Sequence, residues 1–108
     1  MKIVVNKEVK IVTESLEVKE GIYYFSKDNS CVFYRVDFEE DKEDGFLTWD
    51  IVEVNNYSDE KSVKLYSDGG ESLPQFIANL FIKDAEKITE DIFNKSMNYI
   101  LNKFAQVK

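Results

Sequence analysis

The spacing of the apolar residues changes once along this chain, and that change constrains the fold more than any other feature. In the first two thirds, apolar residues recur at about every second position, as at Val32, Tyr34, Val36 and Phe38. From Leu73 onward they fall at i, i+3, i+4, i+7 and i+8. A period of two is typical of a half-buried strand, whereas the second spacing is typical of an amphipathic helix. The sequence therefore predicts a sheet followed by helices.

We expect an α+β fold in which an antiparallel sheet of about five short strands packs against one or two C-terminal helices. The predicted sheet region covers 1–67 and the predicted helical region covers 72–106. A chain of 108 residues has room for one core, so 1–108 is predicted to be a single domain. Ser72 with Gln75 resembles a capping box, and Thr89 is a second start signal. One helix and two helices both remain open.

Residues 37–44 hold six acidic residues and one lysine, and they lie between predicted strands at 31–38 and 46–54. So much charge cannot lie in a core, so we expect the exposed tip of a hairpin. Three interpretations are open: a docking site for a basic protein, a solvated loop that favours solubility, or loose cation binding. A calcium-loop alignment fails because Lys42 and Ile51 fall at ligand positions, so no metal site is predicted. The predicted partner-binding acids are Glu39, Glu40, Asp41, Glu43 and Asp44.

Two segments, 22–25 and the first part (31–34) of the predicted strand 31–38, carry apolar residues on both faces. Helices on one side of a sheet cover only one of those faces, so Tyr23, Phe25 and Phe33 need a second cover. Loops or the N-terminal strands provide one solution. A homodimer or partner interface provides another, because such interfaces are rich in aromatic residues. The third solution is an aromatic-lined pocket for a small ligand between the sheet and helix 73–83.

The residue types that are missing exclude several classes of function. The chain has no histidine, so Ser–His and Cys–His catalysis and imidazole metal ligands are excluded. Cys31 and Arg35 are the single cysteine and the single arginine, so a zinc site of several thiolates and a clamp of several arginines are excluded too. No glycine-rich phosphate loop occurs. We therefore expect no enzyme and no cofactor.

The charge distribution limits the classes of partner that the chain can bind. Residues 37–71 hold twelve acidic residues against three basic ones, which repels nucleic acid and anionic membranes. The N-terminus shows no secretion signal and no apolar run is long enough to span a membrane, so we expect a cytoplasmic protein.

The functional hypothesis is a small acidic protein-binding module of the inhibitor or immunity type. It would dock on a basic partner through the hairpin 37–44, with Tyr23, Phe25 and Phe33 as apolar anchors. The alternatives are a small-molecule-binding domain with the aromatic pocket described above, or a structural homodimer subunit.

Overall fold

The computed structural model describes residues 2–7, 12–57 and 59–106. Within these ranges the predicted α+β fold is confirmed: strands fill the N-terminal two thirds and helices follow them. No helix in these ranges is long and apolar enough to cross a membrane. The strands are β1 (Lys2–Lys7), β2 (Val12–Glu17), β3 (Gly21–Lys27), β4 (Val32–Glu40), β5 (Leu47–Asn56), β6 (Lys61–Gly70) and β7 (Glu86–Lys87). The helices are α1 (Gln75–Asn79), which continues into one π-helical turn (Leu80–Asp84), and α2 (Glu90–Gln106).

Five of the strands form one antiparallel sheet in the order β6-β5-β4-β3-β7, and β1 pairs with β2 in a separate antiparallel hairpin. The register places Phe25 opposite Tyr34, and it places Phe33 opposite Val54, which in turn lies opposite Val63. Because side chains alternate along a strand, Phe25 and Phe33 lie on opposite faces of the sheet.

One face of the sheet packs against α1 and the π-helical turn, and we call it the α1 face. Phe25, Phe38 and Ile51 are fully buried there, together with Ile77 of α1. Phe81 holds this layer together, because its ring meets the ring of Phe25 edge to face, with the centroids 4.9 Å apart. Aromatic rings in this arrangement attract each other beyond the gain from burial.

The other face packs against α2, and we call it the α2 face. Phe93 and Ile100 of the helix are buried in a cluster with Phe33 and Val54 of the sheet. A third sheet residue, Val63, packs against the same cluster. Residues 93, 97 and 100 follow the spacing of one helical stripe, so the amphipathic pattern of α2 explains which of its sides meets the sheet. The two helices therefore cover opposite faces, and the expectation that both would cover a single face is wrong.

The helix boundaries answer the question that the sequence left open. The helical region contains two helices, and the second begins after Thr89, whose hydroxyl accepts a hydrogen bond from the backbone N–H of Ile92 at 3.3 Å. The predicted capping box at Ser72 and Gln75 is wrong, because α1 begins later and Pro74 occupies its N-cap without a side-chain bond. The short β7 between the helices carries the chain past β3, from the α1 face to the α2 face.

Strand β6 is longer than the sequence predicts, since it continues past residue 67 to Gly70. The two glycines at its end allow aromatic rings to lie against the backbone. A Cβ atom at Gly69 would lie 2.9 Å from the ring of Phe46, and one at Gly70 would lie 3.4 Å from the ring of Trp49. Small residues that usually signal a turn here extend the sheet instead.

We expect Phe93→Ala to lower the free energy of unfolding by about 3–5 kcal/mol, because it leaves a cavity between α2 and the sheet. Phe76→Ala is the matched control, since Phe76 of α1 is 48% exposed and its loss should cost less than about 1 kcal/mol. Urea denaturation followed by the fluorescence of Trp49 measures both. Equal losses would contradict the packing of α2 described here.

A second prediction concerns Tyr34, which is buried on the α1 face and donates a hydrogen bond to the Glu53 carboxylate at 3.1 Å. Burial raises the pKa of Tyr34, and the negative charge of Glu53 raises it further. A tyrosine in an unfolded chain ionises near pH 10. The protonated Tyr34 hydroxyl therefore contributes fully to the free energy of unfolding below about pH 10, and this contribution is lost as the pH rises toward the folded-state pKa.

In Tyr34→Phe, the free energy of unfolding should therefore fall less steeply between about pH 9 and about pH 11 than it does in the wild type. Urea denaturation at several pH values, with Tyr99→Phe as the control for an exposed tyrosine, measures the difference. An unchanged pH dependence in Tyr34→Phe would show that this hydroxyl ionises as easily in the folded state as in the unfolded state.

Candidate partner-binding surface

The acidic hairpin tip is a tight turn that connects β4 to β5, and two of its acids build the turn. The Asp41 carboxylate accepts a hydrogen bond from the N–H of Glu43 at 2.9 Å, and the Asp44 carboxylate accepts one from the N–H of Phe46 at 2.8 Å. Gly45 has a φ of +72°, which is readily adopted only by glycine. The turn therefore needs a hydrogen-bond acceptor at positions 41 and 44, which Asp or Asn can supply, independently of any role in binding.

The remaining predicted acids have different surroundings. Glu43 is exposed in the turn, and Glu39 is exposed on β4, opposite Thr48. Glu40 lies at the end of β4, where its backbone N–H donates to the carboxylate of Glu20 at 2.8 Å. The structure therefore brings all five predicted acids to one end of the molecule, with Glu39 on the α2 face of the sheet.

Helix α2 covers only part of the α2 face, and the part nearest the hairpin tip is left uncovered. We call this part the acidic end; its face residues are Asp37, Glu39, Thr48, Asp50 and Ser67. A shallow depression of about 200 Å³ lies here, and Asp68 contributes to its wall. The register of β4 and β5 explains the collection of charge, because strand alternation places residues 37, 39, 48 and 50 on the same face.

Asp37 and Asp50 are directly opposite each other on neighbouring strands. Like charges in this position destabilise a sheet. Arg35 offsets part of the cost, although its Nη2 lies 3.9 Å from the Asp37 carboxylate, which is a long ion pair. The Ser67 hydroxyl donates a hydrogen bond to Asp50. The acidic end therefore groups like charges, and we expect their repulsion to cost some stability that an approaching cation would restore.

An apolar groove adjoins the acidic end, where the sheet passes under the edge of α2. Its volume is about 500 Å³. Ile22 on its sheet side is 48% exposed, and Leu65, directly opposite Val52 of the groove, is 68% exposed. Arg35 lies between the groove and the acidic end. The residues that line it are Ile22, Tyr24, Arg35, Val52, Phe93 and Met97, with Glu90 and Asn94 at the helix side.

The aromatic part of the predicted site needs correction. Phe25 is completely buried under Phe81 on the α1 face, and Phe33 is 6% exposed under α2 on the opposite face. Tyr23 packs edge to face on Phe81, and its hydroxyl donates to the backbone carbonyl of Lys19 at 2.6 Å. Phe25 and Phe33 are already covered within the chain, so neither presents a surface that a partner can contact in this conformation.

Asp50, Ile22 and Leu65 were not predicted to belong to a site. One signal was available for Asp50: it belongs to the polar set of β5 that alternates with Leu47, Trp49 and Ile51. Its position opposite Asp37 depends on the register of the hairpin, which is set by the length of the turn at 41–46 and not by the alternation within β5. Ile22 and Leu65 resemble ordinary buried strand residues, and only the position of α2 shows that they are exposed.

Within the described residues, no group of three or more acidic or cysteine side chains is arranged to hold a metal ion. Comparison of the chain with known protein families, with curated proteins and with solved structures found no match. The geometry of the surface therefore carries the functional argument alone.

We expect Asp50→Asn to raise the free energy of unfolding by about 0.5 kcal/mol at low salt, because it removes the like-charge pair with Asp37 and keeps an acceptor for Ser67. The gain should shrink at about 500 mM NaCl, where exposed charges are screened. Glu86→Gln is the control, since Glu86 is exposed on β7 opposite Ser26. A loss of stability in Asp50→Asn at both salt concentrations would show that the carboxylate is stabilised where it lies.

Proposed function

We propose that the chain is a small acidic protein-binding module that docks on a basic protein through its acidic end and the adjoining hairpin tip. The observation that carries the proposal is the pairing of Asp37 with Asp50 on an uncovered part of the sheet. An arrangement that costs stability in the free protein and is relieved by a cation favours a role in binding over a role in folding.

The distribution of charge supports a protein partner of opposite sign. The acids are grouped at one end of the sheet, and the described basic residues closest to them in sequence are Arg35 and Lys42. Such a group steers a basic partner toward one orientation and raises the association rate by about 10–1,000-fold at low salt. Scattered charges of the same number would favour solubility without orienting anything.

The apolar groove beside the acidic end supplies the second element that an interface needs. Charge sets the rate and the orientation of docking, whereas desolvated apolar contacts supply most of the affinity. Ile22 and Leu65 expose aliphatic surface next to the carboxylates. A partner that fits both features carries an apolar side chain within a ring of lysine or arginine residues.

This chemistry is that of an inhibitor or immunity-type protein. Enzymes that act on nucleic acid have basic surfaces because they bind phosphate, so an acidic module can occupy such a surface by charge complementarity. On this proposal the chain itself has no catalytic role. The identity of the partner follows from the experiment below.

The experiment compares three forms of the protein as baits in a pull-down from host lysate, read by mass spectrometry. The first is the wild type. In the second, the five tip acids are neutralised by Asp→Asn and Glu→Gln changes, which keep the hydrogen-bond acceptors of the turn. The third is the matched control, with five exposed acids neutralised away from the site: Asp59, Glu60, Glu71, Glu86 and Asp91.

A basic protein should be captured by the wild type and by the control, and it should be lost from the tip variant. With the purified pair, the association rate constant should fall at least tenfold between about 50 mM and about 500 mM NaCl, because screening removes the steering. Equal capture by all three baits, or an association rate that ignores salt, would sink the proposal.

A second candidate function, small-molecule binding, is favoured by the size of the apolar groove at the edge of α2. Pockets for small ligands usually measure about 300–1,000 Å³, and the groove falls within that range. The sheet–α1 interface is the location that the sequence predicted for such a pocket, but Phe25, Phe38 and Phe81 fill it with packed rings. A thermal-shift screen separates the two candidates, because a ligand of the groove would stabilise the wild type and not Val52→Arg.

A further inference from the structure

Strand β6 forms one edge of the five-stranded sheet, and no described strand pairs with its outer side. It is ten residues long, and among the described strands it pairs with β5 alone. The opposite edge is partly covered, because β7 bonds to Phe25 and Ser26 of β3. A long open edge is a template for a further strand, and proteins usually protect such an edge or use it.

The register shows which backbone groups of β6 point outward. The N–H of Asn56 bonds to the carbonyl of Cys31. The backbone N–H and C=O groups of the even-numbered residues of β5 therefore point toward β4, and those of the odd-numbered residues point toward β6. Their partners on β6 are the even-numbered residues. Val63, Leu65 and Ser67 therefore present their N–H and C=O groups to the outside, and in the described part of the chain these groups have no partner. The outward N–H of Gly69 is held by its neighbour, the Asp68 carboxylate, at 2.8 Å.

The charges along this edge are balanced, in contrast to those of the whole chain. The chain has a net charge of −7, but residues 61–71 hold two lysines followed by two acids. Lys61 and Lys64 occupy the first half, and Asp68 and Glu71 occupy the second half. An edge that is basic at one end and acidic at the other is complementary to an antiparallel copy of itself.

We infer that β6 pairs with β6 of a second copy of this chain, antiparallel and about a two-fold axis at Tyr66, to form one continuous ten-stranded sheet. In this register Lys64 of one copy lies opposite Asp68 of the other, and Lys61 lies opposite Glu71. The two Tyr66 rings, each 40% exposed, meet at the axis. The isologous contact closes after two copies, as most homodimers do.

The backbone geometry agrees with this register. With the axis at Tyr66, Leu65 meets Ser67 and Val63 meets Gly69, and all four have outward-pointing backbone groups. The Leu65–Ser67 pair can exchange two hydrogen bonds directly, and the Val63–Gly69 pair can do so once the N–H of Gly69 leaves the Asp68 carboxylate. An axis at Leu65 or at Ser67 also aligns outward groups. However, it places Lys64 opposite Tyr66 or Gly70, and the charge pairs are lost. Charge complementarity therefore selects Tyr66 as the axis.

The inference does not depend on the proposed function. The acidic end lies on one face of the sheet, and the β6 edge presents its outer backbone in the plane of the sheet. A second copy therefore leaves the acidic residues 37–44 uncovered at the strand ends of the long sheet, and the antiparallel axis places the two tips on opposite sides of it. Failure of either proposal leaves the other standing.

The test is the mass of the full chain in solution, measured by sedimentation equilibrium between roughly 5 and 200 µM. The wild type should show twice its 12.6 kDa mass at the upper concentrations. Leu65→Pro removes an outward N–H and blocks the approach of a strand while leaving the bonds to β5 in place. It should be monomeric, whereas the control Leu65→Ala should dimerise within about threefold of the wild type, because the backbone makes the contact.

A charge exchange tests the register. Asp68→Lys should weaken the dimer at least tenfold, because it places two lysines opposite each other at two symmetric positions. Adding Lys64→Glu should restore the dimer, because the pair returns with its signs reversed. Circular dichroism confirms that each variant is folded before its mass is interpreted.

Three results would overturn the inference. The first is a wild type that stays monomeric across the whole concentration range, which would leave the edge to a strand of another protein. The second is a dimer that persists in Leu65→Pro, which would place the interface elsewhere. The third is an Asp68→Lys dimer as stable as the wild type, or one that Lys64→Glu fails to restore, which would exclude the register at Tyr66.

Discussion

The structure depends on one constraint: the central strands of the sheet are apolar on both faces, so both faces must be covered. Phe25 and Phe33 lie on opposite faces, and each would expose an aromatic ring to water without a cover. Burying a side chain of this size contributes about 1.5–3 kcal/mol to the free energy of unfolding. The chain meets the requirement by dividing its helical region, with α1 and the π-helical turn on one face and α2 on the other. The short β7 makes this division, because it passes the edge of the sheet between the helices.

The same constraint determines where the molecule can bind. One helix is too narrow to cover the whole α2 face, so it covers the apolar end around Phe33 and Val54 and leaves the end near the hairpin tip open. The open end is polar, and it carries Asp37 and Asp50 side by side. The apolar groove marks the boundary between the covered and open parts. Charge and exposed apolar surface adjoin because the cover ends there.

Much of the fold could be predicted from periodicity, and the site could be predicted only in part. The change of spacing at Leu73 correctly separates β1 to β6 from the helices, although it does not indicate β7 between them, and the run of acids in 37–44 correctly marks a hairpin tip. The assignment of Phe25 and Phe33 to a partner surface was wrong in this conformation, because a pattern of residues shows that two faces need cover and does not show what covers them. That choice depends on contacts between residues distant in sequence. The pairing of Asp37 with Asp50 depends instead on the length of the turn between β4 and β5, which the strand pattern does not give.

Helix α2 covers the apolar end of the α2 face and leaves the acidic end open. Nuclear Overhauser contacts in isotope-labelled protein test this arrangement most directly. We expect contacts from the Phe93 ring to Tyr24, and from the Ile100 methyl groups to Phe33 and Val54. We expect none from α2 to Thr48 or Ser67. Contacts between α2 and those two residues, or an α2 without contacts to the sheet, would contradict the account.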